Sequence, residues 1–447
     1  MAGKKKRSIS EINEKLKRGN AVILTTKEFK DEVRKGAKFK LGDVDAVTTA
    51  TRAVTSGTSA MLLVPVSRRG AFSRARMLWL NGVPGFPGPA PNERLDCRDT
   101  LIYGTSPSKY DPHNYGGGHL FRDMIEGKEI YVECESDDGR YFESYFKLEQ
   151  LEFARMYSFR NAFQNYPSFS NLKNLPSYRD NPKSIFTYRA MPVNSGINMT
   201  GGGELNPLEN DPHLRAIRIG TKILINKAPG IVIGCGTRSE PGHGALSIAA
   251  DMSKMDADFT GGFRTFGGIE VTNSIAIPIP ILDGEVVDTI ARVLDENIIL
   301  VLADLGDRLP LYELNYSDVW TNADLEFEFD ADKCIRCSQS CIAEYHCPMH
   351  AIDWQKKTLD EDKCFHCGAC NVNCPAGAFK PKGGDYKGHM GLAHVKGLDM
   401  TLPITFRQSD RFRAEKLTEY LKELMQRGEF LFADTDFMIT HSAEVKS

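Results

Sequence analysis

The chain has 447 residues, 41% of them hydrophobic and 26% charged, the make-up of a globular protein too long for one hydrophobic core. A formal net charge of -3 excludes bulk electrostatic attraction to nucleic acid or to an anionic membrane. No run nears the roughly 18 uninterrupted apolar residues of a membrane span, and no apolar stretch follows the N-terminal basic residues as in a signal peptide, so a cytoplasmic protein is expected.

The basic run Lys4, Lys5, Lys6, Arg7 reads as a solvated tail. Ser8 and Glu11 form a capping-box pattern before a helix carrying Ile9, Ile12 and Leu16, which Gly19 ends. Ala21 to Leu24 is a short apolar strand. Thr25 and Glu28 repeat the capping pattern before a second helix ending at Gly36, and Val44 to Thr49 is the next strand. This alternation predicts an α/β fold with a partly parallel sheet. Further strands are expected at 129–133, 222–226, 231–234 and 246–249, then a helix within 285–295 and a buried strand at 298–303. Gly-rich loops stand at Gly116–Gly118 and Gly201–Gly203.

Residues 307–332 are polar with aromatics and mark a boundary. Three parts are expected: a large mixed α/β domain over 1–325, a cysteine-rich α+β domain over 326–382, and an extension over 383–447. In that extension 380–397 is Gly- and Lys-rich and reads as irregular. An amphipathic helix follows Ser409, with Ala414, Leu417, Leu421 and Leu424 on one face, and packs back on the large domain.

Eleven cysteines in a cytoplasmic chain point to metal ligation or reactive thiols rather than disulfides. Cys364, Cys367, Cys370 and Cys374–Pro375 have the bacterial ferredoxin spacing C-x2-C-x2-C-x3-C-P. Cys334, Cys337, Cys341 and Cys347–Pro348 give a widened version of it. Thiolates are the soft ligands that iron–sulfur clusters need, and the fourth cysteine of each run ligates the other cluster. Two 4Fe–4S clusters are therefore expected, one on Cys334, Cys337, Cys341 and Cys374, the other on Cys364, Cys367, Cys370 and Cys347. Zinc sites are the alternative that C-x2-C pairs leave open.

Cys97, Cys134 and Cys235 lie outside both runs. Each alone reads most simply as a small buried apolar residue. Strand ends at the rim of an α/β sheet are nevertheless where sites form, and Cys134 and Cys235 fit that position better than Cys97.

The stretches Tyr115-Gly-Gly-Gly-His119, Arg160-Asn-Ala-Phe-Gln-Asn-Tyr166, Gly203-Glu-Leu-Asn-Pro-Leu208 with Asp211–Pro212, and Ile277-Pro-Ile-Pro-Ile281 resemble the archaeal homocysteine-biosynthesis family, which includes L-aspartate semialdehyde sulfurtransferase. The resemblance covers roughly residues 8–306. The fused cysteine segment and the tail Pro403-Ile-Thr-Phe-Arg-Gln-Ser-Asp-Arg411 are more similar to its methanogen branch, methanogenesis marker protein sixteen. The resemblance implies reductive thiolation, in which an aldehyde, sulfide-level sulfur and two electrons give a thiol. It implies an external low-potential electron donor and cysteine sulfur carriers, and it is compatible with a homo-oligomer. One carrier would fall in the turn Thr55-Ser-Gly-Thr58 and another near Tyr141, neither of which is cysteine here. Cys134, Cys97 and Cys235 then become the candidates. For the branch, the simplest aldehyde is sulfoacetaldehyde, giving 2-mercaptoethanesulfonate (coenzyme M). Homocysteine formation, or a non-enzymatic electron-transfer or assembly role, are the alternatives.

A sulfonate stays anionic at physiological pH and calls for Arg, hydroxyls or backbone N–H groups. The segment Arg52 to Ser59, with Thr55, Ser56, Gly57 and Thr58, follows an expected strand end and is the candidate for that role.

Overall fold

Ser8 caps the first helix, Ile9–Lys17, by accepting from the Glu11 N–H at 3.1 Å. Only half of the expected capping box forms, because the Glu11 carboxylate turns to Arg7. Arg7 also pairs with Asp45, so the last residue of the basic run is anchored and not solvated. Thr25 and Glu28 make both capping-box bonds ahead of the helix Thr26–Arg34. The computed structural model describes residues 6–88, 96–175, 183–184, 186–320, 326–337, 340–382 and 390–435. Lys4 and Lys5 lie outside them.

Two sheets carry the mixed α/β fold. The larger runs from Ile23–Thr25 at one edge through Ala46–Val54, Gly268–Pro280, Lys222–Ile225, Ala228–Cys235 and Leu246–Asp251. It continues through Ala154–Asn161, Thr58–Pro65, Cys97–Tyr103, Val83–Pro87, Ala75–Leu80 and Ile130–Ser136 to Tyr141–Phe146. Among the described residues its only parallel pair is Ile23–Thr25 with Ala46–Val54. The α/β alternation thus holds only for the first four elements. The rest of this sheet is antiparallel, in part hairpins joined by short turns and in part strands brought together from far along the chain, such as Ala46–Val54 with Gly268–Pro280.

The strand expected to end at Thr49 continues to Val54. Its partner Gly268–Pro280 is long and pairs with every residue from Ala46 to Val54. The smaller sheet has the order Pro310–Asn315, Ile299–Asp304, Ser168–Ser170, Ile197–Met199, Met400–Arg407, Leu392–Val395. The extension therefore supplies two strands as well as a helix, and the 380–397 stretch contains one of them. Residues 383–389 and the expected boundary at 325 lie outside the described residues.

The last helix, Arg411–Gln426, packs on Ala46–Val54 and Gly268–Pro280 as its apolar face requires. Leu417 and Leu421 are fully buried, each worth about 1.5–3 kcal/mol relative to exposure. No helix among the described residues is long and apolar enough to cross a membrane. One apolar cluster fills the space under the larger sheet. A second joins the smaller sheet to the cysteine-rich segment, with Phe263 in ring contact with both Phe365 and Phe406 between them.

Candidate active site

Where the extended strand Ala46–Val54 ends, four distant segments close around a cavity. It is lined by Thr51 and by Ala53 to Ser56, by Arg160 with Ala162, Phe163 and Tyr166, by Gly201 and Asn206, and by Gln408 and Ser409, with Phe186, Asn273 and Ile275 completing it. The turn at Thr55 is held from behind. Asn273 donates to both Thr55 Oγ1 (2.7 Å) and Thr58 Oγ1 (2.8 Å), and Thr58 also bonds Ser158. Asn206 caps the short helix Pro207–Asn210 and donates to the Phe163 carbonyl, joining two walls. Gly201 has φ +86°, and a Cβ there would collide with the Tyr316 hydroxyl, so only glycine fits that wall.

Behind Asn206 a buried ionic network fixes its loop. Arg34 grips Glu204, Arg411 pairs with Asp295 at 2.6 Å, and Lys30 donates to Asn210 at 2.9 Å. Burial pulls the Lys30 amine down to about 7, with Glu204 and Asp295 opposing. Glu209 on the same short helix as Asn210 is pushed up to about 7 by burial.

Arg52 does not face this cavity. It lies inside the strand, 1% exposed, and donates to Asp410 at 2.8 Å. Burial lowers its guanidinium to about 10 against the pull of Asp410. The expected anion-binding Arg is thus a buried structural partner, because the strand outran its expected end. Thr55 and Ser56 line the cavity, whereas Gly57 and Thr58 do not appear on its wall.

The same Asp410 ties the cavity to the cysteines. Burial alone would raise its pKa, but His366 (Nδ1 at 3.1 Å) and Arg52 outweigh burial and hold the carboxyl below its ordinary value. The Arg407 N–H donates to the Cys367 carbonyl at 3.0 Å, while the next two residues line the cavity. One short segment therefore touches both.

The cysteine segment is a doubled unit. The strand Phe327–Phe329 pairs with Phe379–Pro381, and the helices Ile342–His346 and Ala369–Asn373 each run toward a terminal cysteine. The widened first run is absorbed at the helix start, where Cys341 Sγ caps the helix by accepting from the Glu344 N–H. One cavity is bordered by Cys334, Cys337, Cys341 and Cys374. A second is bordered by Cys347, Cys364, Cys367 and Cys370. These are the two crossed quartets that the spacing predicts. Backbone N–H groups of Ala351, His366 and Ala378 point at Cys347, Cys364 and Cys374 sulfurs, 3.3–3.4 Å away, as thiolate ligands require. Among the described residues no three His, Cys, Asp or Glu side chains converge on a single ion. The donor set and its crossed arrangement fit 4Fe–4S clusters. The second quartet is buried and the first half-buried.

The other three cysteines stand apart from the cavity. Cys134 lies within the strand Ile130–Ser136, not at a strand end, and its side chain sits in the apolar core. Burial pushes its thiol up to about 11 despite Arg98. A sulfur carrier there would be neither accessible nor ionised. Cys97 is buried and opens its strand, and Cys235 is half-buried at the end of Ala228–Cys235.

The family described as homocysteine biosynthesis enzyme, sulfur-incorporation, matches residues 21–432. The chain belongs to that family. The match extends beyond residue 306, as far as residue 432. A Methanothermobacter thermautotrophicus protein is 41% identical over 95% of this chain and 94% of its own length. A Methanocaldococcus jannaschii protein is 35% identical over 91% of this chain and 98% of its own. The L-aspartate semialdehyde sulfurtransferase of Methanocaldococcus jannaschii is 30% identical, over 69% of this chain and 62% of that protein. No solved structure matches the chain. As a member of this family, the protein is a sulfur-incorporating enzyme.

Arg160, Tyr166, Asn206, Gln408 and Ser409 stand in the sequence only as members of family motifs. Their charge and polarity inside those motifs was the available signal for a shared site.

Proposed function

We propose that this protein reductively thiolates a small anionic aldehyde, with sulfoacetaldehyde giving 2-mercaptoethanesulfonate as the favoured pair. In balanced form, one aldehyde, one hydrosulfide ion, two electrons and three protons give one thiol and one water. The C=O bond is lost as water, a C–S bond forms, and the thioaldehyde-level carbon is reduced. Two 4Fe–4S clusters, held by Cys334, Cys337, Cys341 and Cys374 and by Cys347, Cys364, Cys367 and Cys370, would supply the electrons one at a time from an external low-potential donor. The observation that carries this reading is the segment Arg407–Ser409, which bonds the buried quartet on one side and lines the cavity on the other.

The chain's own residues bind and shield. Phe163, Phe186 and Ile275 give the cavity apolar walls that keep bulk water from a reactive carbonyl adduct. Sulfur would enter as hydrosulfide, since none of Cys97, Cys134 and Cys235 lines the cavity. Homocysteine formation is the second reading, favoured by the names of two relatives. An amino-acid substrate brings an ammonium group, and among the described lining residues there is no carboxylate to meet it.

The test is an anaerobic assay of cluster-loaded protein with sulfide, a low-potential reductant and a panel of aldehydes. Thiol from sulfoacetaldehyde supports the reading. Thiol from L-aspartate semialdehyde alone overturns the substrate, and no thiol from any aldehyde overturns the reaction.

A further inference from the structure

Most polar groups on the cavity wall are already used by the protein. Thr55 bonds Asn273 and Thr58, Asn206 bonds Leu208 and Phe163, and Gln408 donates to the Val54 carbonyl. Two are left over. Ser409 is 1% exposed and its hydroxyl has no hydrogen-bond partner. Arg160 Nε is likewise buried and unpartnered, and Arg160 is the single charged residue among the described lining residues. A buried hydroxyl and a buried guanidinium nitrogen have each given up water without replacing it, so both await an acceptor. Arg238 adds positive charge close to Arg160, and Glu270, held behind Ser56, is the carboxylate that opposes it.

We propose that Arg160 and Ser409 form the site for the anionic end of the substrate, a sulfonate or carboxylate without a neighbouring ammonium. This rests on the reductive-thiolation reading for the rest of the molecule. Ser409 is also next to Asp410, whose neighbours reach the buried cysteine quartet. An anion seated there places the remainder of a two-carbon substrate inside the cavity and beside that segment.

The test is calorimetric binding of 2-hydroxyethanesulfonate, an unreactive alcohol analogue, to full-length cluster-loaded protein. Wild type is compared with Arg160→Met, Arg160→Lys and Ser409→Ala, each checked by circular dichroism and cluster absorbance. Arg160→Met should weaken binding on the order of tenfold to a hundredfold, Ser409→Ala should weaken it severalfold, and Arg160→Lys should recover part of the loss. Wild-type affinity retained by folded Arg160→Met overturns this site while leaving the reaction standing. Wild type that ignores the sulfonate but binds L-homoserine tightly overturns the substrate class itself.

Discussion

Arg52 and Asp410 form an ion pair at 2.8 Å with both side chains wholly out of contact with solvent. It staples the first long strand to the start of the last helix, which Asp410 also caps through the Arg413 N–H. Removing one partner strands the other charge. Arg52→Ala should therefore cost about 3–5 kcal/mol of stability, seen by anaerobic denaturant melts. At permissive temperature its losses of turnover should be equal for charged and neutral aldehydes. A loss confined to the charged substrate would restore Arg52 to the binding site.

The crossed quartets make an arithmetic prediction. Wild type should hold about eight irons per chain, with visible absorbance that bleaches on reduction. The double variant Cys347→Ala, Cys364→Ala touches one cavity and should keep about four irons. The double variant Cys334→Ala, Cys347→Ala touches both and should keep close to none. The reverse result, close to none in the first variant and about four in the second, would show that each run serves its own cluster, and about two zincs in place of iron would rule the clusters out.

Local signals were legible because they depend on near neighbours: the helix caps at Ser8 and Thr25, the cysteine spacing, and the face of Leu417 and Leu421. The candidate cavity was not. Its walls come from segments as far apart as Ala53–Ser56, Arg160 to Tyr166, Gly201 with Asn206, and Gln408–Ser409, and only the long pairing between Ala46–Val54 and Gly268–Pro280 brings the first of them to its place. Arg52 shows the cost of a strand end misplaced by five residues, for it changed from a loop cation into a buried staple. Arg160 stood in a noted motif but carried no local mark of a ligand site.

Cys134 sits in the core with a thiol held up to about 11 by burial. Cys134→Ala should lower stability by about 1 kcal/mol and leave sulfide-dependent turnover intact, with Cys97→Ser and Cys235→Ser adding no catalytic loss. Abolished turnover in a folded Cys134→Ala protein would make it a sulfur carrier after all.

Glu209 gives a pH signature. Its folded pKa is pushed up to about 7 by burial from 4.5, so the native state holds its proton over a range where the unfolded chain has lost it. Stability from this group is complete below about 4.5 and falls as pH rises through 7. Glu209→Gln keeps an acceptor for the Asn165 N–H and removes the titration. The variant should be about 1–3 kcal/mol more stable than wild type at pH 8, with the gap closing toward pH 4.5. A gap independent of pH would show that Glu209 titrates normally.

The central claim is that stored electrons become a carbon–sulfur product at the cavity. The direct measurement is a single turnover with protein fully reduced, freed of excess reductant, and mixed anaerobically with sulfide and sulfoacetaldehyde. With one electron held at each cluster, the account predicts about one thiol per chain and reoxidation of both clusters in step with its appearance. Clusters that stay reduced while thiol forms, or that reoxidise with no thiol, would contradict it.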